Sequence, residues 1–501
     1  MKSNPSRART ALRRLALAAS AILFCQSFGA FAASPPEPAA QPDNAAILKK
    51  VEELEAKVQT LETRLSKYEN APPAPSSPLD RSVLTENLAL ENSPSAETAA
   101  TPQLDTRPAL FGLGYRSNAI LSIGAYGELK YGAQQTPEGW RHGFDSGRVV
   151  LLPTFQITDN IVFNAEIEFE HGGIAVDADD KLTGSVELEQ AYIDFRFNQY
   201  FNWRAPGVDV VPFGYINLFH EPTQFYSVQR PELDNGLIPT TWFEGSTSLY
   251  GKIVDNLNYQ LQVNTGLEDI GRNGGVPDGP YDPGISGTEA LGLARTPIGD
   301  FNQAKNALGY ALRFSYTPPF VPGLAGSTSV FYTPNVTPRN AHSDNGGALG
   351  HSSVTMLDTE LRYRVPKTGF EFRGEFVDVF LGSPGNLRAN NDSDPADNVG
   401  DNMWGFSLEA AYHWDLKPRF KNGWELVPFY RYTFENLQTG GFAGRDENRP
   451  TGQGKRQFHT FGFAVFPTPQ LVLKLDYQFA LDDAPDSPKS DHFLGAVGFF
   501  F

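Results

Sequence analysis

Hydrophobic and polar residues alternate one by one along many stretches of this 501-residue chain. The clearest stretches are 160–170, 257–264, 308–316 and 471–479. In the third of these, Tyr310, Leu312 and Phe314 alternate with Ala311 and Arg313. Successive side chains of a β-strand point to opposite faces. These stretches therefore predict strands with one apolar face and one polar face.

Sixteen strands are predicted between residues 119 and 501, and their connections alternate in length. The first, second and fifth strands are predicted at 119–132, 144–157 and 206–217. Tight turns are predicted at 158–159, 255–256, 366–368 and 467–469. Long polar loops are predicted at 173–183, 218–241, 268–305, 334–352, 381–402, 436–456 and 481–490. Turns at one end and loops at the other are typical of membrane barrels. We predict an all-β fold, a transmembrane antiparallel β-barrel of about 16 strands, enclosing an aqueous channel rather than a packed interior.

The last predicted strand, 491–501, carries an aromatic face and ends on a phenylalanine. Phe493, Phe499 and Phe501 share that face, because side chains alternate with period 2. Such a strand is typical of the closing strand of a bacterial outer-membrane barrel. We predict that these three residues form the signal for the barrel-assembly machinery. Taken alone, the strand also fits the edge of a soluble β-sandwich, which has no reason to sort its loops by length.

Composition agrees with a barrel in outer-membrane lipid. No apolar stretch of 18 residues follows residue 33, which excludes a helical membrane protein. Yet the chain contains 37 Phe, 19 Tyr and 47 Gly at a mean hydropathy of −0.34. A barrel accounts for both observations, because only alternate residues of its strands meet lipid.

Residues 1–32 have the pattern of a secretory signal peptide. A basic start is followed by the apolar run 15–24 and by the small-x-small site 30–32. Cys25 also permits a lipoprotein interpretation, although the bulky Phe24 before it does not suit a lipobox. It is the only cysteine, so no disulfide framework is predicted. Removing the five cationic side chains of the signal takes the formal charge from −17 to about −22, so nucleic acid is not expected as a partner.

Residues 45–69 have a 3-4 apolar repeat that predicts a periplasmic coiled coil. Its core positions are Ile47, Val51, Leu54, Val58, Leu61, Leu65 and Tyr68. A single amphipathic helix on a protein surface is the alternative, and the pattern leaves dimer against trimer open. Residues 70–118 are rich in Pro and Ser and read as a linker leading into the barrel. This extension is a candidate for contact with peptidoglycan or periplasmic proteins.

Three segments resemble the phosphate-selective porin O and P family. They are Val211-Pro-Phe-Gly-Tyr-Ile-Asn-Leu-Phe-His-Glu221, Arg230-Pro-Glu-Leu-Asp234 and Ile238-Pro-Thr-Thr-Trp-Phe-Glu-Gly245. The resemblance covers roughly 119–501 and implies a 16-stranded outer-membrane porin, a homotrimer and a phosphate-like anion preference. The segment 238–242 departs from the pattern of a phosphate-specific member.

Charged residues on the polar faces of the strands are the candidates for lining the pore. The candidate cations on the strands are Arg148, Arg313, Arg373, Arg431 and Lys474, and Arg230 is added from a loop. The carboxylates among them are Glu166, Glu371, Glu375 and Glu409. The loop 218–241 follows the fifth strand and is a candidate constriction, offering His220, Glu221, Arg230, Glu232 and Asp234. The alternatives are paired charges that only stiffen the wall, and an ordinary surface loop. At about 0.15 M salt the Debye length is about 8 Å, so charge on the outer loops is screened before it reaches the constriction. We therefore predict a mild anion preference that depends on Arg230.

The function predicted from these features is passive diffusion of small hydrophilic solutes across a bacterial outer membrane. The alternative is a structural protein that is tethered to the cell wall through the N-terminal helix. The sequence contains no Cys and His residues at the spacing of a zinc site, no phosphate-binding loop and no Gly-x-Ser-x-Gly motif. Ser407 and His413 share a strand face, but about 20 Å of strand separates them. No catalytic residue, metal or cofactor is predicted.

Overall fold

The computed structural model describes most of the region predicted to be a barrel. The described residues are 121–136, 139–174, 184–239, 241–269, 293–295, 307–337, 350–386, 401–416, 423–439, 455–482 and 491–501, all within the compact unit Pro78–Phe501. The predicted signal peptide, coiled coil and linker lie outside the described residues. None of the described helices is long and apolar enough to cross a membrane.

Nineteen strands and two four-residue helices make up the described part of the chain. The strands are β1 (Leu121–Thr136), β2 (Gly139–Thr158), β3 (Ile161–Glu170), β4 (Val186–Arg196), β5 (Asn202–Val210), β6 (Phe243–Val254), β7 (Leu257–Asn264), β8 (Leu267–Asp269), β9 (Leu293–Arg295), β10 (Gly309–Tyr316), β11 (Leu324–Thr333), β12 (Ser353–Arg364), β13 (Phe370–Gly382), β14 (Asn402–Tyr412), β15 (Trp414–Asp415), β16 (Glu425–Thr439), β17 (Lys455–Thr468), β18 (Leu471–Asp482) and β19 (His492–Phe500). The helices are α1 (Tyr215–Leu218) and α2 (Leu233–Gly236), both between β5 and β6.

The large sheet closes on itself, because β1 pairs with both β2 and β19. Ala125 and Phe501 exchange two backbone hydrogen bonds of 2.7 Å at this seam. Every pairing is antiparallel. The two-residue β15 continues β14 along β16, and β8 with β9 forms a separate pair, so sixteen strands form the barrel. The predicted all-β barrel of about 16 strands is confirmed.

The two faces of the strands differ as the alternation predicts. On β13, the rings of Phe372, Phe376 and Phe380 are exposed on the outside, whereas Glu371 and Val377 are buried inside. The outer face therefore presents aromatic and aliphatic side chains around the barrel, as contact with lipid requires.

One end of the barrel, here called the turn end, carries short connections such as 159–160, 255–256 and 469–470. The opposite end, the loop end, differs from the prediction at its first connection, because only two residues separate β1 from β2. The predicted strands 119–132 and 144–157 are too short, since pairing continues as far as Thr136 opposite Gly139. Gly139 has a φ of +119°, which favours glycine, and the Thr136 hydroxyl donates to its carbonyl at 2.8 Å.

The fifth strand also differs from its predicted range of 206–217. β5 ends at Val210, opposite Phe243, and the chain then leaves the sheet. Pro212 has no backbone N–H to donate to a neighbouring strand, and Gly214 has a φ of +74°. Residues 215–218 form α1 rather than the end of a strand. The prediction was wrong here because an apolar run of this length fits a strand and a buried turn equally well.

Candidate functional site: the barrel interior

Residues 211–242, here called the interior segment, fold into the barrel. The Tyr215 N–H donates to Glu360 on β12, His220 contacts the Tyr126 hydroxyl on β1 at 2.8 Å, and the Val228 N–H donates to Asp476 on β18 at 2.5 Å. β1 and β18 are separated only by β19, whereas β12 lies many strands away in the closed sheet, and the three wall side chains are buried. The segment therefore crosses the interior from wall to wall.

Asn217 joins the two ends of the interior segment. Its side-chain amide donates to the carbonyl of Val211 at 3.0 Å, and its side-chain oxygen accepts the N–H of Trp242 at 2.6 Å. Asn217 is buried, so both hydrogen bonds form away from bulk water. Asn217 thus holds the first and last residues of the segment, Val211 and Trp242, close together. We call this arrangement the Asn217 clasp.

Apolar packing fills the interior on the side of β10–β14, toward the loop end. There Trp242 packs edge-on against Phe331, with ring centroids 4.6 Å apart, and against Phe213 at 5.9 Å. The full cluster is Val211, Phe213, Leu233, Leu237, Ile238, Trp242, Leu267, Ala311, Phe331, Val336, Val354, Met356, Val377, Val379, Leu381 and Met403. The predicted wholly aqueous interior is wrong in this part. Inward positions such as Val354 and Val379 are apolar, and the segment removes them from water.

Three of the wall cations predicted to line the pore donate to backbone carbonyls of the interior segment. Arg148 donates to His220 at 2.6 Å, Arg373 to Gln224 at 3.0 Å, and Lys474 to Ser227 at 2.7 Å. Two of the three also have a carboxylate nearby: Glu128 lies 3.4 Å from Arg148, and Glu371 lies 2.5 Å from Arg373. These contacts fasten the segment to the wall, and a pore-lining role for the three cations stays a prediction.

The other predicted cations lie in different surroundings. Arg313 donates to Ser327 and Ser329 at 2.8 and 2.9 Å, and it lies 3.7 Å from Glu360 on the neighbouring strand. Arg230, within the segment, donates to Thr241 at 2.7 Å. Among the described residues, no carboxylate lies within 4 Å of the Arg230 guanidinium. Burial and the nearby Arg148 lower the pKa of Arg230.

Glu232 is the most completely paired carboxylate of the interior segment. Arg431 donates to both of its oxygens, at 3.0 and 2.9 Å. Thr433, Thr460 and Gln478 donate to it at 2.6, 3.1 and 2.6 Å. Burial acts to raise the pKa of Glu232, but the Arg431 charge and these donors outweigh burial and hold the pKa below its usual value.

Asp234, two residues further along, has the opposite surroundings. Both of its carboxylate oxygens are buried without a hydrogen-bond donor from the described residues. Burial and the neighbouring Glu360 carboxylate raise the pKa of Asp234 well above its usual value. Asp358, Glu360 and Glu375 on the wall each place one oxygen within 4.8 Å of the others. An acidic cluster, with Arg313 at 3.8 Å from Asp358 and 3.7 Å from Glu360, therefore lies where the segment meets β12.

His220 and Glu221 lie at the opposite wall. His220 contacts the Asn217 carbonyl through Nδ1 at 2.9 Å, and its Nε2 lies 3.6 Å from Glu166. Burial lowers the pKa of His220, although Glu166 acts in the other direction. Burial raises the pKa of Glu221 to about 7.

The interior as a whole is acidic. Among the described residues, sixteen Asp and Glu side chains are buried, against six Lys and Arg. A cleft lies inside the barrel between the segment and strands β12–β16. Both signs of charge line it, including Glu360, Glu375, Arg373 and Arg431. The barrel interior thus contains a charged cleft next to a region filled by apolar side chains.

Sequence reasoning missed two members of the acidic cluster, Asp358 and Glu360. The alternation along β12 could have identified them. Every second residue of this strand is buried on the inner face: Val354, Met356, Asp358, Glu360 and Arg362. No sequence pattern predicts that Asp234 acts on them, since this depends on how the interior segment folds.

The predicted assembly residues lie on the last strand, β19, and at the C-terminal residue that follows it. Phe493 and Phe501 are exposed on the outer face, and Phe499 stacks on Phe501 with centroids 5.9 Å apart.

Comparison with known proteins finds relatives of this chain at low sequence identity. No protein-family model matches the chain. It is 26% identical over 396 residues to an uncharacterized protein of Aquifex aeolicus (strain VF5), across 77% of this chain and 81% of that protein. The resemblance to the phosphate-selective porins stays a prediction.

The chain is similar to three solved structures, each at 10% identity or less and with a TM-score below 0.5. The outer membrane channel DcaP of Acinetobacter baumannii is 9% identical, with a TM-score of 0.47 over 76% of this chain and 97% of that one. OprB of Pseudomonas putida is 10% identical, with a TM-score of 0.47 over 76% and 94%. An anion-selective porin from Comamonas acidovorans is 10% identical, with a TM-score of 0.44 over 76% and 99%.

Proposed function

We propose that the chain is a porin of a bacterial outer membrane, through which small hydrophilic solutes diffuse passively. The observation that carries this proposal is the interior segment, which is clasped at Asn217 and fastened to charged wall residues across the barrel. An apolar outer face supports insertion into lipid, and a charged interior supports passage of hydrated solutes. The fastened segment narrows the passage and gives it a defined size.

The sign of ion selectivity has two candidates. The sequence predicts a mild anion preference, and Arg230, which has no carboxylate within 4 Å among the described residues, supports that candidate. The excess of buried carboxylates favours cations instead, because Arg148, Arg373 and Arg431 each have carboxylate partners. Charges inside a narrow passage are weakly screened, so the interior balance dominates. We therefore add a mild cation preference as the candidate that the charge balance supports.

Planar-bilayer recording of the purified protein tests the proposed function. We expect discrete conductance steps, and a zero-current potential across a KCl gradient whose sign separates the two candidates. Deleting residues 34–108 separates the porin from the tether, since a porin still conducts after that deletion whereas a tether loses envelope integrity. A wild-type protein that inserts into the bilayer and never conducts would refute the porin.

Assembly belongs to the same proposal. We expect a homotrimer held in part by a parallel coiled coil of residues 45–69, and insertion by the barrel-assembly machinery through Phe493, Phe499 and Phe501. Light scattering in mild detergent, with and without residues 34–108, measures the first expectation. Deleting Phe501 and assaying heat-modifiable protein in the outer membrane measures the second, and normal assembly after that deletion would refute it.

A further inference from the structure

Two neighbouring strands bring like charges together inside the barrel. Glu360 on β12 lies directly opposite Glu375 on β13 in the strand register, and Asp358 precedes Glu360 on the same face. Like charges directly opposite each other destabilise a sheet. One oxygen from each of these three carboxylates nevertheless lies within 4.8 Å of the others. The local fold brings three acids together without an obvious structural gain.

A fourth carboxylate, on a different element, adds negative charge near this cluster. Asp234, in α2 of the interior segment, is only 3% exposed, and neither of its oxygens has a hydrogen-bond donor from the described part of the chain. Glu360 is the charge that acts on it most strongly. One oxygen of Asp358 and one of Glu375 are also buried without a donor. Four oxygens from three carboxylates thus lack the partner that buried acceptors normally have.

The groups around the cluster do not supply the missing charge. The Arg313 guanidinium is 3.8 Å from Asp358 and 3.7 Å from Glu360, beyond hydrogen-bond distance. The Tyr215 N–H donates to Glu360, and the Ser329 hydroxyl donates to Asp358 at 3.3 Å. Arg230 and Arg431 act on Asp234, and Arg431 also acts on Glu375, but Arg431 is already paired with Glu232. Buried charges of this kind are stabilised by protons or by a bound cation.

We propose that Asp358, Glu360 and Glu375 bind a divalent cation, with calcium as the ion that fits best. Asp358 is fully buried, and one of its oxygens has no donor from the described residues. All three offer only oxygen, and calcium takes six to eight oxygen ligands, including carboxylates bound through both oxygens. Zinc is less suited, because structural zinc sites are built mainly from Cys and His. The cation would join β12 to β13 on the wall and offset the negative charge of Asp234 on the interior segment. Glu360 and Glu375 also line the cleft, so an ion can reach the site from the interior.

Calcium binding to the full-length protein in detergent, stripped with EDTA and then titrated with CaCl₂ in a calorimeter, tests the proposal. We expect about one ion per chain. D358N and E375Q should each weaken calcium binding by more than roughly 10- to 100-fold. That range is the loss of affinity caused by mutating residues that only hydrogen-bond to a metal's ligands. D378N is the control for a charge change on the same strand, because Asp378 lies on the outer face of β13, opposite to Glu375, and receives a hydrogen bond from Asn402. It should bind calcium as the wild type does.

Thermal unfolding provides a second readout that a merely structural role would not produce. In EDTA, D358N should unfold at a higher temperature than the wild type, because it removes one repelling charge. In calcium the order should reverse, because only the wild type gains a ligand that binds the folded state. The proposal is overturned by a wild type that binds no calcium at millimolar concentration, which would mean that protons neutralise the cluster. It is equally overturned by binding that D358N and E375Q leave unchanged. Neither result depends on whether the protein conducts.

Discussion

Two carboxylates of the interior segment, Glu232 and Asp234, are separated by one residue and are both buried, yet their surroundings are opposite. Glu232 accepts hydrogen bonds from Arg431, Thr433, Thr460 and Gln478. Asp234 has no donor from the described residues and faces Glu360. The difference shows that two neighbouring positions of one short segment have contrasting partners. Glu232 forms a complete ion pair with Arg431, whereas Asp234 receives no hydrogen bond from the described residues.

The largest effect on stability should come from breaking the ion pair between Arg431 and Glu232. Replacing Arg431 with Met leaves Glu232 buried without its cation, and removing one partner of a buried ion pair costs about 3–5 kcal/mol. We expect the free energy of unfolding, measured by urea titration in detergent, to fall by about that amount. The double variant R431M/E232Q should recover part of the loss, because it no longer buries an unpaired charge. A single variant as stable as the wild type would show that the pair does not hold the segment.

A third buried carboxylate, Glu221, extends the comparison to pH. Burial raises its pKa to about 7, whereas an unfolded chain ionises near 4.3. The folded state therefore binds the proton more tightly, so this contribution to stability is complete below about pH 4.3 and is lost as pH rises toward 7. The loss is at most about 4 kcal/mol. Urea titrations at pH 5 and pH 8 should show a smaller change in E221Q than in the wild type. Equal changes would mean that Glu221 is ionised throughout.

Isosteric replacements at the two compared positions should change stability in opposite directions. E232Q removes the charge that Arg431 needs and should lower the unfolding temperature. D234N removes a charge that repels Glu360 and, in EDTA at pH 8, should raise the free energy of unfolding by at least about 1 kcal/mol. Both variants are measured in the same buffer, so each serves as the control for the other. Two changes of the same sign would remove the distinction between the sites.

The smallest effect should appear in ion selectivity. R230A removes one cation without breaking an ion pair, so the fold should be unaffected and only the interior charge should change. We expect the zero-current potential across a KCl gradient to move by a few millivolts toward cation preference. R313A is a useful comparison, because Arg313 lies on the wall near Asp358 and Glu360 rather than in the segment. A potential unchanged in R230A would mean that Arg230 lies away from the ion path.

The strands and their faces were predictable from sequence, because the alternation of Tyr310, Leu312 and Phe314 with Ala311 and Arg313 encodes the pleat of a sheet. A constricting role for the loop 218–241 was also predicted, but the point where the chain leaves the fifth strand and the path of the interior segment were not. Its apolar residues fit a strand through Asn217, and only the positive φ of Gly214 and the Asn217 clasp show that the chain turns inward. The contrast between Glu232 and Asp234 was also beyond reach, because their partners lie more than a hundred residues away in the chain.

Single-channel conductance of the wild type and of R431M in planar bilayers tests most directly the claim that the fastened interior segment sets the passage. The account predicts small, steady steps for the wild type, because the segment is clasped and anchored across the barrel. It predicts larger or fluctuating steps for R431M, in which the anchor at Glu232 is lost. Identical, steady steps from both proteins would contradict the account, since the segment would then not define the pore.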